Sequence, residues 1–429
     1  MTTEVYLGID IGTSGIRGSC INKQEKEVAS HHIVFASRHS HKTRNEQDPN
    51  IWLLQLDRLI ENIQDKLNKL DDDYIIKSIS IDGTSSTLIA CKKDGSALSP
   101  ALMYNDQQSQ LQAEAISRFA PAESAVHGAS SSLAKAMLLL QRYPETEIFC
   151  HQADWLAASL TGRYGISDEN NCLKMGYDSV QQQWPDWLKN HIPVALLPEV
   201  LTPGTAIGKI KPSLIEKYPL AEDCIIVAGT TDSIAAVLAT GASQLGDAVT
   251  SLGSTLVIKL FSETAIFNPE YGIYSHHINN HWLVGGASNS GGSVLLQYFT
   301  QAQLDQMTPQ LKPEQRTGLN YYPLPGSGER FPVNDINKQN NTLPRPDSDV
   351  EFFQALLEGI AGIEAEAYKK LKTLGATAPQ RIFTAGGGNK NTAWNKIREQ
   401  TTGIKVINAL QSEACYGSAL LAKKVFNKV

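Results

Sequence analysis

A carboxylate at the end of a buried strand, with small hydroxyl residues turning directly behind it, is the arrangement in this chain best suited to chemistry. It occurs at Asp10-Ile11-Gly12-Thr13-Ser14-Gly15-Ile16-Arg17, after the apolar run Val5–Ile9. Glycines let backbone approach an anion closely, and the Thr13 and Ser14 hydroxyls and nearby N–H groups can bond phosphate oxygens. Asp10 repels phosphate but can hold a cation that phosphates share. The stretch reads as a phosphate grip with a carboxylate on its metal side. An ordinary hairpin with a solvated Asp is the competing reading, because short glycine-rich matches recur by chance.

Three later stretches extend the pattern. Strand Cys224–Ala228 ends in Gly229-Thr230-Thr231-Asp232, and a small-residue helix, Ser233–Thr240, follows. Strand Asp247–Leu252 turns at Gly253-Ser254-Thr255 into strand Leu256–Leu260, echoing the first hairpin. Strand Arg381–Ala385 opens into Gly386-Gly387-Gly388-Asn389-Lys390-Asn391 before a helix from about Thr392. Two phosphate-type hairpins, a strand-end Asp and a Gly-rich strand-to-helix loop, far apart in sequence, fit a nucleotide held between two related domains.

The elements that must position these residues repeat. Val5–Ile9, Ile16–Asn22 and Val28–Phe35 predict an antiparallel meander, followed by a helix over about Pro49–Leu70 with Pro49 in its first turn. Ile75–Ile81 alternates as a strand into Asp82-Gly83-Thr84-Ser85-Ser86, and Thr87–Cys91 continues to the Asp94-Gly95 turn. In the second half, strands at 247–252, 255–260 and 282–287 precede a helix beginning near Gly291. A long helix spans about Val350–Leu374, with Val350, Phe353, Leu357, Ile360, Ile363, Ala367 and Leu371 on one face and Gly375 stopping it. Strand 381–385, helix 392–402, strand 404–408 and helix 412–427 complete the half. The Pro-, Asn- and Asp-rich stretch from about Gly326 to Asp349 reads as a surface connection with no core of its own.

Bulk properties narrow the class. A chain of 429 residues exceeds one ordinary core, so two domains are expected. Apolar content of 41% and charged content of 19% fit a soluble globular protein, and a net charge of −6 with scattered charges excludes an electrostatic grip on nucleic acid. The six cysteines lie far apart without a Cys-x-x-Cys, which predicts buried free thiols in a reducing cytosol. His31-His32, His39, His41 and His276-His277 lack Cys or carboxylate partners at ligand spacing, so no metal centre is expected of them. No signal-peptide pattern and no apolar run near the ~20 residues of a membrane span are found, so a cytoplasmic protein is expected.

The chain resembles the FGGY carbohydrate kinases, a branch of the actin-like ATPase superfamily, from residue 5 to about 425. Besides the blocks above, the resemblance is carried by Ser131-Ser132-Leu133-Ala134-Lys135, Asp154-Trp155-Leu156 with Leu160-Thr161-Gly162, and Pro323 through Gly328-Glu329-Arg330. Ala355-Leu356-Leu357-Glu358-Gly359-Ile360 and Glu413-Ala414 with Gly417-Ser418-Ala419 complete it. It implies an α/β fold of duplicated, ribonuclease H-like actin-like domains with an interdomain cleft. The sugar-binding domain is expected over 1–238, the nucleotide-binding domain over 239–411, with helix 412–429 packing back on the first.

Phosphoryl transfer to an alcohol needs metal-held phosphates, in-line geometry and an acceptor for the alcohol proton. Asp232 is the expected base, and the resemblance assigns it that role; the N-terminus of helix 233–240 is expected to keep it ionised, and simple helix capping is the alternative. Asp10, with Asp232, is expected to organise Mg²⁺ beside the sugar, largely through water. Thr13, Ser14, Gly253, Ser254 and Thr255 would wrap the phosphates of ATP; Arg17 joins them unless it forms only a surface ion pair. Gly386, Gly387 and Gly388 leave room for adenosine against backbone, and Asn391 offers donor and acceptor to the adenine edge. Glu413 and Ala414 read as structural.

The sugar-side candidates are Asp82, Gly83, Thr84, Ser85 and Ser86 with Tyr104-Asn105-Asp106, since hydroxyls, Asp and Asn pair with sugar hydroxyls. Many relatives carry a Trp before this Asn-Asp and an Arg soon after, where this chain has Tyr104 and Gln107-Gln108. These segments look most like the compact D-ribulose kinases, so D-ribulose is the expected acceptor and D-xylulose or another ketose or polyol the alternative. A non-catalytic sugar or nucleotide sensor and an actin-like ATPase of other purpose are the remaining readings. A monomer or homodimer with sugar and ATP as its small-molecule partners is expected.

Overall fold

The structure, a computed structural model, describes residues 2–35, 43–218 and 220–426. The chain forms two compact units, one running to Ala239 and resuming at Glu413, the other Thr240–Ser412.

In the first unit a six-stranded sheet is built on Thr3–Ile11, whose residues Val5–Ile11 are all buried. It pairs antiparallel with Gly15–Asn22, which pairs antiparallel with Glu27–Val34, giving the expected meander. On its other side it pairs parallel with Tyr74–Gly83, which pairs parallel with Leu220–Val227; Ala206–Lys209 closes that edge. Pro49–Leu67 crosses between the meander and Tyr74–Gly83. Asp48 caps this helix through Asn50 N, and Trp52, Leu56, Leu59, Ile60, Ile63 and Leu67 are buried against the sheet's core. The spacing of these apolar residues is helical, so the same face is apolar at every turn.

The second unit repeats the order. Asp247–Leu252, Leu256–Ser262 and His281–Ser288 form the meander, with Tyr274–Ile278 added at its edge. Arg381–Ala385 pairs parallel with Asp247–Leu252, and Lys405–Asn408 pairs parallel with Arg381–Ala385. Asp349–Thr373 makes the crossover, and Thr392–Thr402 connects the last two strands. With the edge strands Ala206–Lys209 and Tyr274–Ile278 left out and the other five numbered by their order within each repeat, both sheets run 3-2-1-4-5, an α/β duplication.

The stretch expected to be a surface connection is mostly exposed and carries no helix or strand before Asp349, but it is anchored near its start. Phe331 is fully buried in the second unit's core, and the buried Glu329 accepts hydrogen bonds from Ser288 Oγ (2.5 Å) and Asn289 N (2.8 Å). A polar composition concealed two inward-facing residues whose partners lie some 40 positions earlier.

The last helix, Ala414–Lys424, belongs to the first unit. A Cβ on Gly8 would overlap the Cys415 carbonyl oxygen and the Ala419 nitrogen, and one on Gly417 would overlap the Ala235 carbonyl. Glycine at these positions lets the helix lie directly on the first strand and on helix Asp232–Ala239. Tyr6, Ile21, Ala239, Tyr416, Ala419 and Ala422 form the apolar cluster between them.

Candidate active site

Three carboxylates meet at the carboxyl ends of the first unit's adjacent parallel strands. Asp10 and Asp82 are register neighbours, and Gly83 bridges Thr231, which brings Asp232 to the same end. In open α/β sheets this is where ligands bind. Asp10 is buried, with Oδ2 3.2 Å from Arg17 Nη1; Arg17 Nε lies 3.5 Å from Glu413 Oε2. Arg17 thus forms the ion pair foreseen as its alternative role, and Glu413 is its second partner. The turn behind Asp10 is closed by Gly12 N–H to Gly15 O at 2.9 Å, and it leaves Thr13 and Ser14 partly exposed.

Asp82 departs from the expectation that it meets the sugar. It is fully buried, accepts a 2.5 Å hydrogen bond from Ser418 Oγ, and its Oδ1 has no protein partner. Burial first, and the Asp10 charge second, push its pKa well above the usual carboxylate range. Asp232 opens helix Asp232–Ala239 and accepts the Ser233 N–H at 2.6 Å. Its carboxyl is nevertheless pushed up to about 6, by burial and then by Asp10, against the opposing Ser233 N–H and Lys174. The Ser233 N–H at the helix N-terminus opposes this rise without cancelling it.

The sugar-side segments divide into supports and exposed groups. Thr84 is buried: its N–H and hydroxyl donate to Gln152 Oε1 at 3.1 and 2.8 Å, and it shares a 2.5 Å hydrogen bond with Thr87 Oγ1. Gly83 lies close against Ala153 N and Gln152 Oε1, where a Cβ would sit at 3.2 Å from each. Asp106 is fully buried, and its carboxylate accepts Asn45 N (2.7 Å), Gln108 N (3.0 Å) and Gln108 Nε2 (2.9 Å). Thr84 and Asp106 therefore brace their turns, contrary to the expectation that they contact sugar. Ser85 is partly exposed, and Tyr104 and Asn105 are exposed. Sequence reading missed Gln152, Lys135 and Asn170, the last of which donates to Thr230 Oγ1 at 3.0 Å. Lys135 alone carried a signal, as part of a block of the family resemblance.

The second unit contains a pocket of about 490 Å³ lined by Gly253, Ser254, Gly292, Ser293, Thr308, Gly387, Gly388, Asn391 and Trp394, among others. That volume lies within the range of small-molecule sites, roughly 300–1,000 Å³. The hairpin is tied down by Gly253 O to Gly292 N (2.8 Å) and Ser254 O to Ser293 Oγ (2.7 Å), with Thr255 partly buried behind. Gly386 has φ +81 and packs on Leu252, which demands glycine; Gly387 faces open space. Asn391 differs from expectation. Its Oδ1 caps helix Thr392–Thr402 through Trp394 N (2.9 Å) and its Nδ2 reaches Thr308 Oγ1 (3.4 Å), so the acceptor expected to read adenine is already used.

Beneath hairpin and glycine loop lies a buried ion pair. Arg398 Nε and Nη2 donate to Glu364 Oε2 and Oε1 at 2.6 and 2.7 Å. Arg398 Nη1 donates to Thr384 Oγ1 (2.6 Å), and Thr250 Oγ1 donates to Glu364 Oε1 (2.5 Å). The network joins strands Asp247–Leu252 and Arg381–Ala385, which lead into the 253–255 hairpin and the 386–391 loop, to the two helices behind them.

Among the described residues all six cysteines are free and buried, and no helix is long and apolar enough to cross a membrane. No group of three His, Cys, Asp or Glu able to hold a metal occurs among the described residues; His39 and His41 lie outside them.

The domain models of the FGGY family of carbohydrate kinases match residues 5–239 (N-terminal domain) and 248–424 (C-terminal domain). The chain belongs to this family, and its fold is the actin-like ATPase fold. It is a sugar kinase, a transferase that uses ATP. Xylulose kinase of Escherichia coli is 24% identical over 93% of this chain and 85% of its own length, and that of Klebsiella pneumoniae is 24% identical over 94% and 86%. Xylulose kinase of Rhodospirillum rubrum superposes with TM-score 0.85 at 21% identity over 99% of this chain and 90% of the other. Glycerol kinase of Plasmodium falciparum with ADP does so with TM-score 0.85 at 19% identity over 98% and 89%.

Proposed function

We propose that the chain phosphorylates a ketopentose, with the second unit binding ATP and the first holding the sugar and the base. The observation that carries this reading is the place of Asp232 at a parallel-strand end beside Asp10 and Asp82; burial pushes its carboxyl up to about 6, which suits a general base near neutral pH. Asp232 accepts the proton of the attacking sugar hydroxyl as its oxygen bonds the γ-phosphorus of ATP and the bond from that phosphorus to the β–γ bridging oxygen breaks, releasing ADP. Ser85 and Asn105 are the exposed polar groups left to recognise the sugar. Within the first unit Thr13, Ser14 and Arg17 are the groups suited to phosphate oxygens, and within the second Gly253, Ser254 and Thr255 are. The 386–391 loop frames the nucleoside. Asp10 and Asp232 are hard oxygen donors at the ends of the two strands that flank Tyr74–Gly83 and fit Mg²⁺, which takes one or two carboxylates and completes its shell with water and phosphates. Bound there, the ion would neutralise phosphate charge.

Relatives named xylulose kinase support D-xylulose as the acceptor over nearly the whole chain. D-Ribulose is the second reading, favoured by Asp82-Gly83-Thr84-Ser85 and Tyr104-Asn105-Asp106. The two sugars differ only at C3. ADP release measured with D-xylulose, D-ribulose and glycerol tests both levels. A ketopentose is expected to raise ADP release well above the sugar-free rate, and the larger kcat/KM assigns the epimer. A rate indifferent to sugar would overturn the kinase reading.

The pH dependence follows from Asp232. Its raised pKa means the base is ionised above about 6 and protonated below. The kcat is therefore expected to fall about tenfold for each unit of pH below that value, read from initial rates with both substrates saturating. A profile flat between pH 5 and 7 would remove Asp232 from the role.

A further inference from the structure

Lys135 is the only fully buried lysine among the described residues. It sits on helix Ser132–Arg142, which Ser131 caps through Ala134 N. Its ammonium donates to two backbone carbonyls, Ser86 O and Met103 O, each at 2.7 Å. The first belongs to the turn that presents Ser85, the second to the turn that presents Tyr104 and Asn105. Ser86 has φ +65, a backbone conformation that residues with a Cβ seldom adopt, and its buried hydroxyl has no protein partner. Burial drives the Lys135 pKa down to about 7, with Lys174 acting in the same direction and Asp106 against it. A leucine or methionine would fill the same volume without that desolvation, so packing alone does not account for an ammonium here.

We propose that Lys135 is a positioning residue for acceptor recognition, clamping the 83–87 and 103–106 turns at the separation that one arrangement of sugar hydroxyls requires. This rests on the kinase reading and deepens it. Lys135 does not touch the reacting atoms; it sets the spacing of the groups that meet the sugar, where small displacements cost large factors in rate. An ammonium satisfies two carbonyls from a single point, which makes the spacing of the turns depend on one side chain.

The test begins with the unsubstituted chain, whose sugar-stimulated ADP release must be present; its absence overturns the kinase reading, and this proposal with it. Given that activity, Lys135→Met keeps the volume and removes the donors. It is expected to raise the KM for the ketopentose about tenfold or more and to bring the kcat/KM ratio between D-xylulose and D-ribulose closer to one, with the KM for ATP within about twofold. Lys135→Arg, which keeps the donors, should recover part of the epimer preference. A purely structural lysine would lower the folded fraction and leave both the sugar KM and the epimer ratio unmoved, and that result overturns the proposal. If Lys135→Met does not fold, hydrogen exchange on the unsubstituted chain decides. Sugar should protect residues 83–87 and 103–106 together, and protection of one segment without the other overturns the clamp.

Discussion

Asp232→Asn is expected to lower kcat by about 10²–10⁴, the usual worth of a general base, with little change in ATP affinity. Asparagine keeps the shape and can still accept the Ser233 N–H through its side-chain oxygen, so helix Asp232–Ala239 should begin as before. What is lost is the proton acceptor. The substitution also removes the carboxyl that feels the Asp10 charge, so a folded variant no less stable than the parent is expected. Single-turnover rates with saturating ketopentose, beside nucleotide titration, separate the two effects. Near-normal turnover would mean that the sugar hydroxyl loses its proton elsewhere, and the helix-capping reading of Asp232 would stand.

The largest expected effect on stability comes from Arg398→Met. Glu364 would be left buried without its bidentate partner, keeping only the Thr250 hydroxyl. Removing one member of a buried ion pair costs about 3–5 kcal/mol, against a typical total of about 5–15 kcal/mol for a folded domain. The second unit should therefore unfold at markedly lower urea concentration than in the parent, and ATP should protect it less because the 253–255 hairpin and the 386–391 loop both rest on this network. The companion Arg398→Met with Glu364→Leu tests the cause. Removing both charges should return much of the loss, since an apolar pair of similar volume is often neutral or better. A loss below about 1 kcal/mol for the single variant would show the pair to be dispensable.

Both tests act on elements whose visibility in sequence differed. The hairpin behind Asp10, its echo at 253–255 and the glycine run at 386–388 could be read directly, because strand alternation, small turn residues and strand-end carboxylates are local signals. The repeated strand order could be read for the same reason. Glu364 and Arg398 lie on two apolar-faced helices, and nothing local marks them as partners. Lys135 is similar: its two acceptors are backbone carbonyls 32 and 49 residues away, which leave no trace in composition. Thr84 and Asp106 were read as sugar contacts because hydroxyl and carboxylate types suit sugars, yet their own turns consume them. At Asp232 the sequence shows the helix N-terminus but not the burial and the second carboxylate that act against it. A helix N-terminus contributes about 0.3–1 kcal/mol at exposed sites, and burial beside a second carboxylate exceeds that.

The return of helix Ala414–Lys424 to the first strand has a consequence for synthesis. Residues up to Ala239 leave the ribosome well before Glu413, with all of Thr240–Ser412 made in between. At about 5–20 residues per second, that interval lasts about 10–35 s. During it, the face of the first strand at Gly8 and the side chains of Tyr6 and Ile21 lack their covering helix, and Asp82 lacks the Ser418 hydroxyl. The nascent first half therefore waits, with an uncovered apolar strip and a buried acid short of its donor, until the second half has been translated. Conditions that slow translation beyond residue 240 should lengthen that wait and raise the share of chains lost to aggregation.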